Sequence, residues 1–118
     1  MRHRSDFDRV YAAGRKAWAQ GFALFVAAGE TERHRLGLTV SRRVGNAVVR
    51  NRVKRRFREV FRTHRERLPG CYDIVVNART EVTEVPFAEL TEAFVRAVQR
   101  ASRARPAPRP PKRREKNR

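Results

Sequence analysis

The chain has 118 residues, enough for one domain with a modest core and too few for a second. Lysine and arginine number 29 against 12 aspartates and glutamates, a formal net charge of +17 at pH 7. That charge repels itself in a compact fold and points to an anionic partner. No run of about 20 apolar residues could cross a bilayer, and the basic start "MRHRSDFDRV" has no apolar segment behind it to make a secretory signal.

Ser5 is a good N-cap with Asp8 three residues on, so a short helix is predicted over 5–13, stopping at Gly14. Phe7, Val10 and Tyr11 fall at i, i+3 and i+4, which puts two aromatic rings on one face. "AQGFALFVA" (19–27) reads as a strand, bounded by the polar loop "GETERH". "RLGLTVS" (35–41) alternates: Leu36, Leu38 and Val40 point one way and Gly37, Thr39 and Ser41 the other. The second of those faces is small and polar, a surface against which a ligand can lie closely.

Asn46, after Gly45, caps a helix predicted over 46–62. Val49, Val53, Phe57, Val60 and Phe61 form its apolar stripe, with Arg50, Lys54 and Arg58 as a parallel basic row. Arg52, Arg55, Arg56 and Arg62 widen that row. "LPG" (68–70) closes the region. "YDIVVNA" (72–78), nearly continuous in apolar residues, is a central strand. Pro86 opens a last helix to about residue 102, with Leu90, Phe94, Ala97, Val98 and Ala101 at helical spacing. The remaining 104–118 is basic and proline-rich, a tail expected to be disordered when free, so the folded domain is 1–103. Helix, strand, strand, basic helix, strand, helix is the order of a small α+β sandwich, with helices packed on a sheet of at most about four strands.

The residues offer no catalytic constellation. His3, His34 and His64 are scattered, and Glu89 and Glu92 lie on the solvated side of the last helix. Asp73 is the one acid on a predicted strand, and no phosphate-binding loop is present, so catalytic and metal-ligating residues are expected to be none. Cys71 is alone; it has no internal disulfide partner and reads as a small buried residue before a strand, in keeping with a reducing cytoplasm.

The basic helix carries more information. Residues 42–58 contain no acid, so no i, i+4 ion pair relieves the repulsion along it. Arg42 and Arg43 precede the free N–H groups of its first turn, an arrangement suited to phosphate. Lysine appears at only four positions of the chain, and arginine's planar fork suits phosphate and base stacking, although a GC-rich coding sequence gives the same bias. Phe7, Tyr11 and Phe25 could be core residues; beside a small-residue strand face and a basic groove they also suit stacking with single-stranded RNA.

Together these segments resemble one family. "RLGLTVSRRVGNAVVRNRVKRRFREVFR" is similar to the signature of the bacterial ribonuclease P protein subunits, including their RNR segment, here Arg50-Asn51-Arg52. "DFDRVYAAGR" resembles their N-terminal helix, "FALFV" their first strand and "YDIVVNAR" their last. The resemblance implies a four-stranded sheet of the ribosomal protein S5 domain 2-like type, with a left-handed β-α-β crossover around the basic helix. It implies a protein cofactor of a catalytic RNA that, with Mg²⁺, removes the 5′ leader from precursor tRNA; no cofactor is held by a protein motif.

Carried over by position, Arg42, Arg43, Asn46, Arg50, Asn51, Arg52, Lys54, Arg55 and Arg58 would face the catalytic RNA. Phe7, Tyr11, Phe25, Thr39 and Ser41 would line the cleft for the leader, with Phe25 where many relatives carry tyrosine. The expected partners are the ribonuclease P RNA and precursor tRNA, with no protein partner and no membrane. A general RNA-binding protein is the nearest rival. A membrane-surface protein is a second, opposed by the apolar stripe, which the domain needs for its own core.

Overall fold

The computed structural model describes residues 4–29, 34–67 and 72–103. In chain order these form α1 (Arg4–Ala13), β1 (Arg15–Ala19), β2 (Phe22–Ala28), β3 (Arg35–Val40), α2 (Ala47–His64), β4 (Tyr72–Ala78) and α3 (Phe87–Arg103). Short 3-10 turns cover Arg65–Arg67 and Thr80–Glu84. The four strands form one sheet in the order β1-β2-β4-β3. β1 and β2 are antiparallel, β2 and β4 are antiparallel, and β3 runs parallel to β4 with α2 as the connection.

The order follows from residue character. β4 is central because Ile74, Val75 and Val76 are buried on both faces of the sheet. Alternation then sorts the rest. Phe22, Leu24, Val26, Ile74 and Val76, with Leu36, Leu38 and Val40 from β3, meet the stripes of α2 and α3 in the main core. Val53, Phe57, Val60, Leu90, Phe94 and Val98 supply the helical half. Phe57 is wholly buried against Phe22 and Phe94, with ring centroids 5.1 and 6.3 Å away. The opposite face carries a smaller cluster of Val10, Ala27 and Val75, flanked by Phe7, Tyr11 and Phe25, where α1 lies across β2 and β4.

Three expectations change. The predicted strand over 19–27 is the second arm of a hairpin: Ala19 pairs with Phe22, and Gln20-Gly21 is the two-residue turn between them. Gly21 has φ +86°, and a Cβ there would approach the Val82 backbone to 2.8 Å, so the turn requires glycine. The first arm, β1, is the strand the sequence reading lacks. The first helix begins at Arg4, so Ser5 lies within its first turn rather than capping it. Pro86 precedes the last helix, its carbonyl accepting the first-turn bond from Leu90 N–H at 2.9 Å. Cys71, "LPG", part of "GETERH" and the tail lie outside the described residues.

Candidate nucleic-acid interface

The helix α2 is held from within and exposed without. Asn46 caps it as its spacing predicts, the Oδ1 accepting from Val49 N–H at 3.0 Å. Val53, Phe57 and Val60 are buried, with Val49 and Phe61 half-buried at the margins. At 3.6 residues per turn the basic side chains cannot form one row. They cover nearly all of the circumference that the core leaves free. Asn51, Arg52, Arg55 and Arg58 are exposed, whereas Arg50, Lys54 and Arg56 are half-buried at the flanks.

On one flank, Lys54 and Arg58 join Phe7, His34, Arg35, Leu36, Leu38 and Phe61 around a groove of about 340 Å³ between α1, β3 and α2. On the other, Arg52 and Arg56 border a hollow floored by Val44, Val49 and Val53, and Arg56 donates to the Val85 carbonyl at 3.2 Å. The nearest acid is Glu59, which pairs with Arg62 at 2.7 Å and leaves the Arg50–Arg58 segment uncompensated. Arg42 and Arg43 are exposed in the turn before the cap, closed by Val44 N–H to the Ser41 carbonyl and Gly45 N–H to the Arg42 carbonyl. Both residues thus stand in the turn just before the positive end of the helix dipole.

The second surface is the sheet face that α1 only half covers. Tyr11 and Phe25 meet edge to face, centroids 4.9 Å apart and planes at 89°. The Tyr11 hydroxyl donates to Asn77 Oδ1 at 2.6 Å and lies 3.1 Å from Thr39 Oγ1. Three strands and one helix therefore meet at a single phenol. Phe7, Tyr11 and Phe25 are half-buried: their inner edges pack on Val10, Ala27 and Val75 while part of each ring stays open. The core reading of these aromatics holds for their inner edges. Thr39 is exposed beside them, and Gly37 keeps the neighbouring floor low. Ser41 lies beyond the end of β3, in the turn that leads into α2. Phe7 belongs to both surfaces, because it also walls the groove of Lys54 and Arg58.

A buried acid anchors α1 over this cleft. Asp73 has no exposed surface and accepts from Arg35 Nε at 2.9 Å and Nη2 at 2.8 Å, a bidentate pair. Arg9 of α1 donates to the same carboxylate and, at 3.2 Å, to the Ala28 carbonyl. Asp6 of α1 reaches Arg35 at 3.4 Å. Burial alone would push the Asp73 carboxyl up, but the hydrogen bonds and charge of Arg35, joined by Arg9, outweigh it and hold the carboxyl below its ordinary range. Arg35 is shifted up in turn, first by its hydrogen bond to Asp73.

The comparisons with known proteins decide the family. A model of the family described as Ribonuclease P matches residues 1–102. The chain belongs to the ribonuclease P protein family. It is 37% identical over 106 residues to the ribonuclease P protein component of Desulfosudis oleivorans, covering 90% of this chain and 88% of the relative. It is 42% identical over 96 residues to that of Syntrophobacter fumaroxidans, covering 80% and 81%. Among solved structures, the RNase P protein from Thermotoga maritima superposes with a TM-score of 0.77 at 31% identity, covering 85% of this chain and 94% of that one. The Staphylococcus aureus protein gives 0.77 at 29% identity over 86% and 93%. Membership assigns this chain a subunit role in tRNA processing.

Of the residues expected to serve the ribonuclease P function, the structure gathers Phe7, Tyr11, Phe25 and Thr39 on one face of the sheet beside α1 and the basic residues around α2. Sequence reasoning missed Lys16, Trp18, Asn77 and Arg79, which extend the cleft face. Lys16 and Trp18 share β1 with the overlooked hairpin arm, and the signal that could have found them is the "QG" turn after a short alternation. Arg9 and Arg35 were missed because their partner Asp73 stands 64 and 38 positions away. Among the described residues no three His, Cys, Asp or Glu side chains converge as a metal site, and no helix is long and apolar enough to cross a membrane.

Proposed function

We propose that this protein assists a catalytic RNA in removing the 5′ leader from precursor tRNA, with two surfaces of separate duty. The basic circumference of α2, with Arg42 and Arg43 at its N-terminus, binds the phosphates of the catalytic RNA. The cleft of Phe7, Tyr11, Phe25 and Thr39 holds the single-stranded leader, and Ser41 borders it at the turn. The observation that carries this reading is the junction at Phe7: the aromatic cleft opens beside the groove lined by Lys54 and Arg58. A leader leaving the RNA-bound side meets the cleft at that shared ring.

The protein's contribution is electrostatic and positional. Each phosphate neutralised by Arg or Lys releases condensed counterions, and RNA held against RNA then needs less free Mg²⁺ for screening. Stacking on the half-open rings fixes the leader at a cost in entropy met by base–aromatic contact. Catalysis, with its divalent metal, belongs to the RNA, and no step is assigned to a side chain of this protein. The proteins it works with are none beyond the ribonucleoprotein itself, and the setting is the cytoplasm.

Reconstitution tests the proposal. With a bacterial ribonuclease P RNA at low Mg²⁺, added protein is expected to restore cleavage of precursor tRNA. Cleavage that stays at the level of the RNA alone overturns it.

A further inference from the structure

The cleft face does not end at Phe25. One strand further out, β1 places Lys16 and Trp18 on the same side of the sheet, because Lys16 pairs with Phe25 and Trp18 with Ala23. Trp18 is 53% exposed, the most open ring among the described aromatics at this face. The Lys16 ammonium stands 3.9 Å from the centre of the indole and 5.4 Å from that of Phe25, so one cation bridges the two rings. The Arg79 guanidinium, just after β4, lies 4.5 Å from the indole centre. β1 is anchored from the other side of the sheet, where Arg100 of α3 donates to the Trp18 carbonyl at 2.5 Å. The backbone under the indole is therefore fixed, while about half of the residue's surface stays open to solvent beside the two cations.

We propose that Trp18, framed by Lys16 and Arg79, is a second base-stacking subsite for single-stranded RNA, occupied by leader nucleotides beyond those held at Tyr11 and Phe25. The inference rests on the cleft reading above and deepens it. A half-open indole with two long cationic side chains against it can take a base where one of them turns to a flanking phosphate, joining stacking and charge as proteins that hold single strands do.

Position along the leader follows from the sheet order. α2 packs against the β3 side and Trp18 lies on β1 at the opposite edge. A strand entering from the catalytic RNA must cross three strand spacings, about 14 Å, to reach it. Trp18 therefore meets only longer leaders.

The chain contains a single tryptophan, so its emission reports on this subsite alone. The test uses the holoenzyme reconstituted with a bacterial ribonuclease P RNA and precursor tRNAs with leaders of about two and about eight nucleotides. Expected are quenching of Trp18 emission by the long-leader substrate and none by the short one. Trp18→Ala is expected to weaken long-leader binding by about five-fold or more and to leave short-leader binding unchanged, with Trp18→Phe restoring most of the loss. Unchanged emission at saturating long leader, equal losses for both leader lengths, or full quenching by the catalytic RNA before substrate is added would each overturn the subsite. Phe25→Ala separates this from the parent reading: if it spares leader-bearing substrate altogether, the cleft assignment itself fails.

Discussion

Tyr11 donates its phenolic hydrogen to Asn77 Oδ1 at 2.6 Å, tying the last turn of α1 to the central strand. The Thr39 hydroxyl, 3.1 Å from the Tyr11 phenolic oxygen, is placed to donate to that oxygen in turn. Tyr11→Phe keeps the ring against Phe25 and removes both bonds. It is expected to cost about 1 kcal/mol, a fall in Tm of about 4 °C by calorimetry. Because the stacking ring remains, affinity for leader-bearing substrate should change less than it does in Tyr11→Ala.

The two surfaces predict separable losses. Arg52→Ala with Arg55→Ala removes two exposed cations of α2 and is expected to weaken binding to the catalytic RNA. The slope of log affinity against log salt should flatten by about 0.7 to 0.9 for each phosphate no longer neutralised. Phe25→Ala should leave that slope alone and reduce binding of leader-bearing substrate by about 1 to 3 kcal/mol, measured against tRNA without a leader. Equal effects of both changes on both RNAs would sink the division of labour.

Asp73 predicts how the free protein responds to acid. Its carboxyl is held below the ordinary range in the fold, so the stability it contributes is complete above the unfolded value of about 4 and is lost as pH falls below that. Asp73→Asn is expected to cost about 2 kcal/mol at neutral pH, because Arg9 and Arg35 lose the shared negative charge and one of the two acceptor oxygens, whose place a donor NH2 takes. In urea melts from pH 6 down to about pH 3, the variant should show a shallower loss of stability than the parent. Curves that remain parallel would mean that other carboxylates govern the acid limb.

Much of this was readable from residue spacing, and the failures have physical causes. Val49, Val53, Phe57 and Phe61 announced α2 because a helix repeats its buried face every turn, and the long apolar run of β4 announced a central strand. β1 escaped because five residues beginning with two cations give only a brief alternation, and its pairing with β2 is set by the Gly21 turn. The cleft was half legible. Phe7 and Tyr11 share a helix face, but that Asn77 and Thr39 meet the Tyr11 hydroxyl depends on the crossover that sets β3 beside β4. Asp73 stood out as an acid in an apolar strand, yet nothing local told of two arginines converging on it from distant elements.

Salt should separate repulsion from attraction in the free protein. The Arg50–Arg58 segment carries no carboxylate, whereas the Asp73 carboxylate is buried beneath its two arginines and less open to screening. Raising NaCl from about 0.05 to 0.5 M is therefore expected to raise Tm by a few degrees, and a short polyanion such as tripolyphosphate to do so at far lower concentration. A fall in Tm with salt would show that surface attraction dominates instead.

One rod, α2, has its apolar side in the core and its guanidinium groups outside. Whatever neutralises those groups also stabilises the helix that Val53, Phe57 and Val60 hold in the core. RNA held at a thousand times its Kd would add about 4 kcal/mol to a domain whose whole margin is of that order. Copies without RNA are then expected to be cut faster by a protease than copies saturated with it, and limited proteolysis of the two reads the difference.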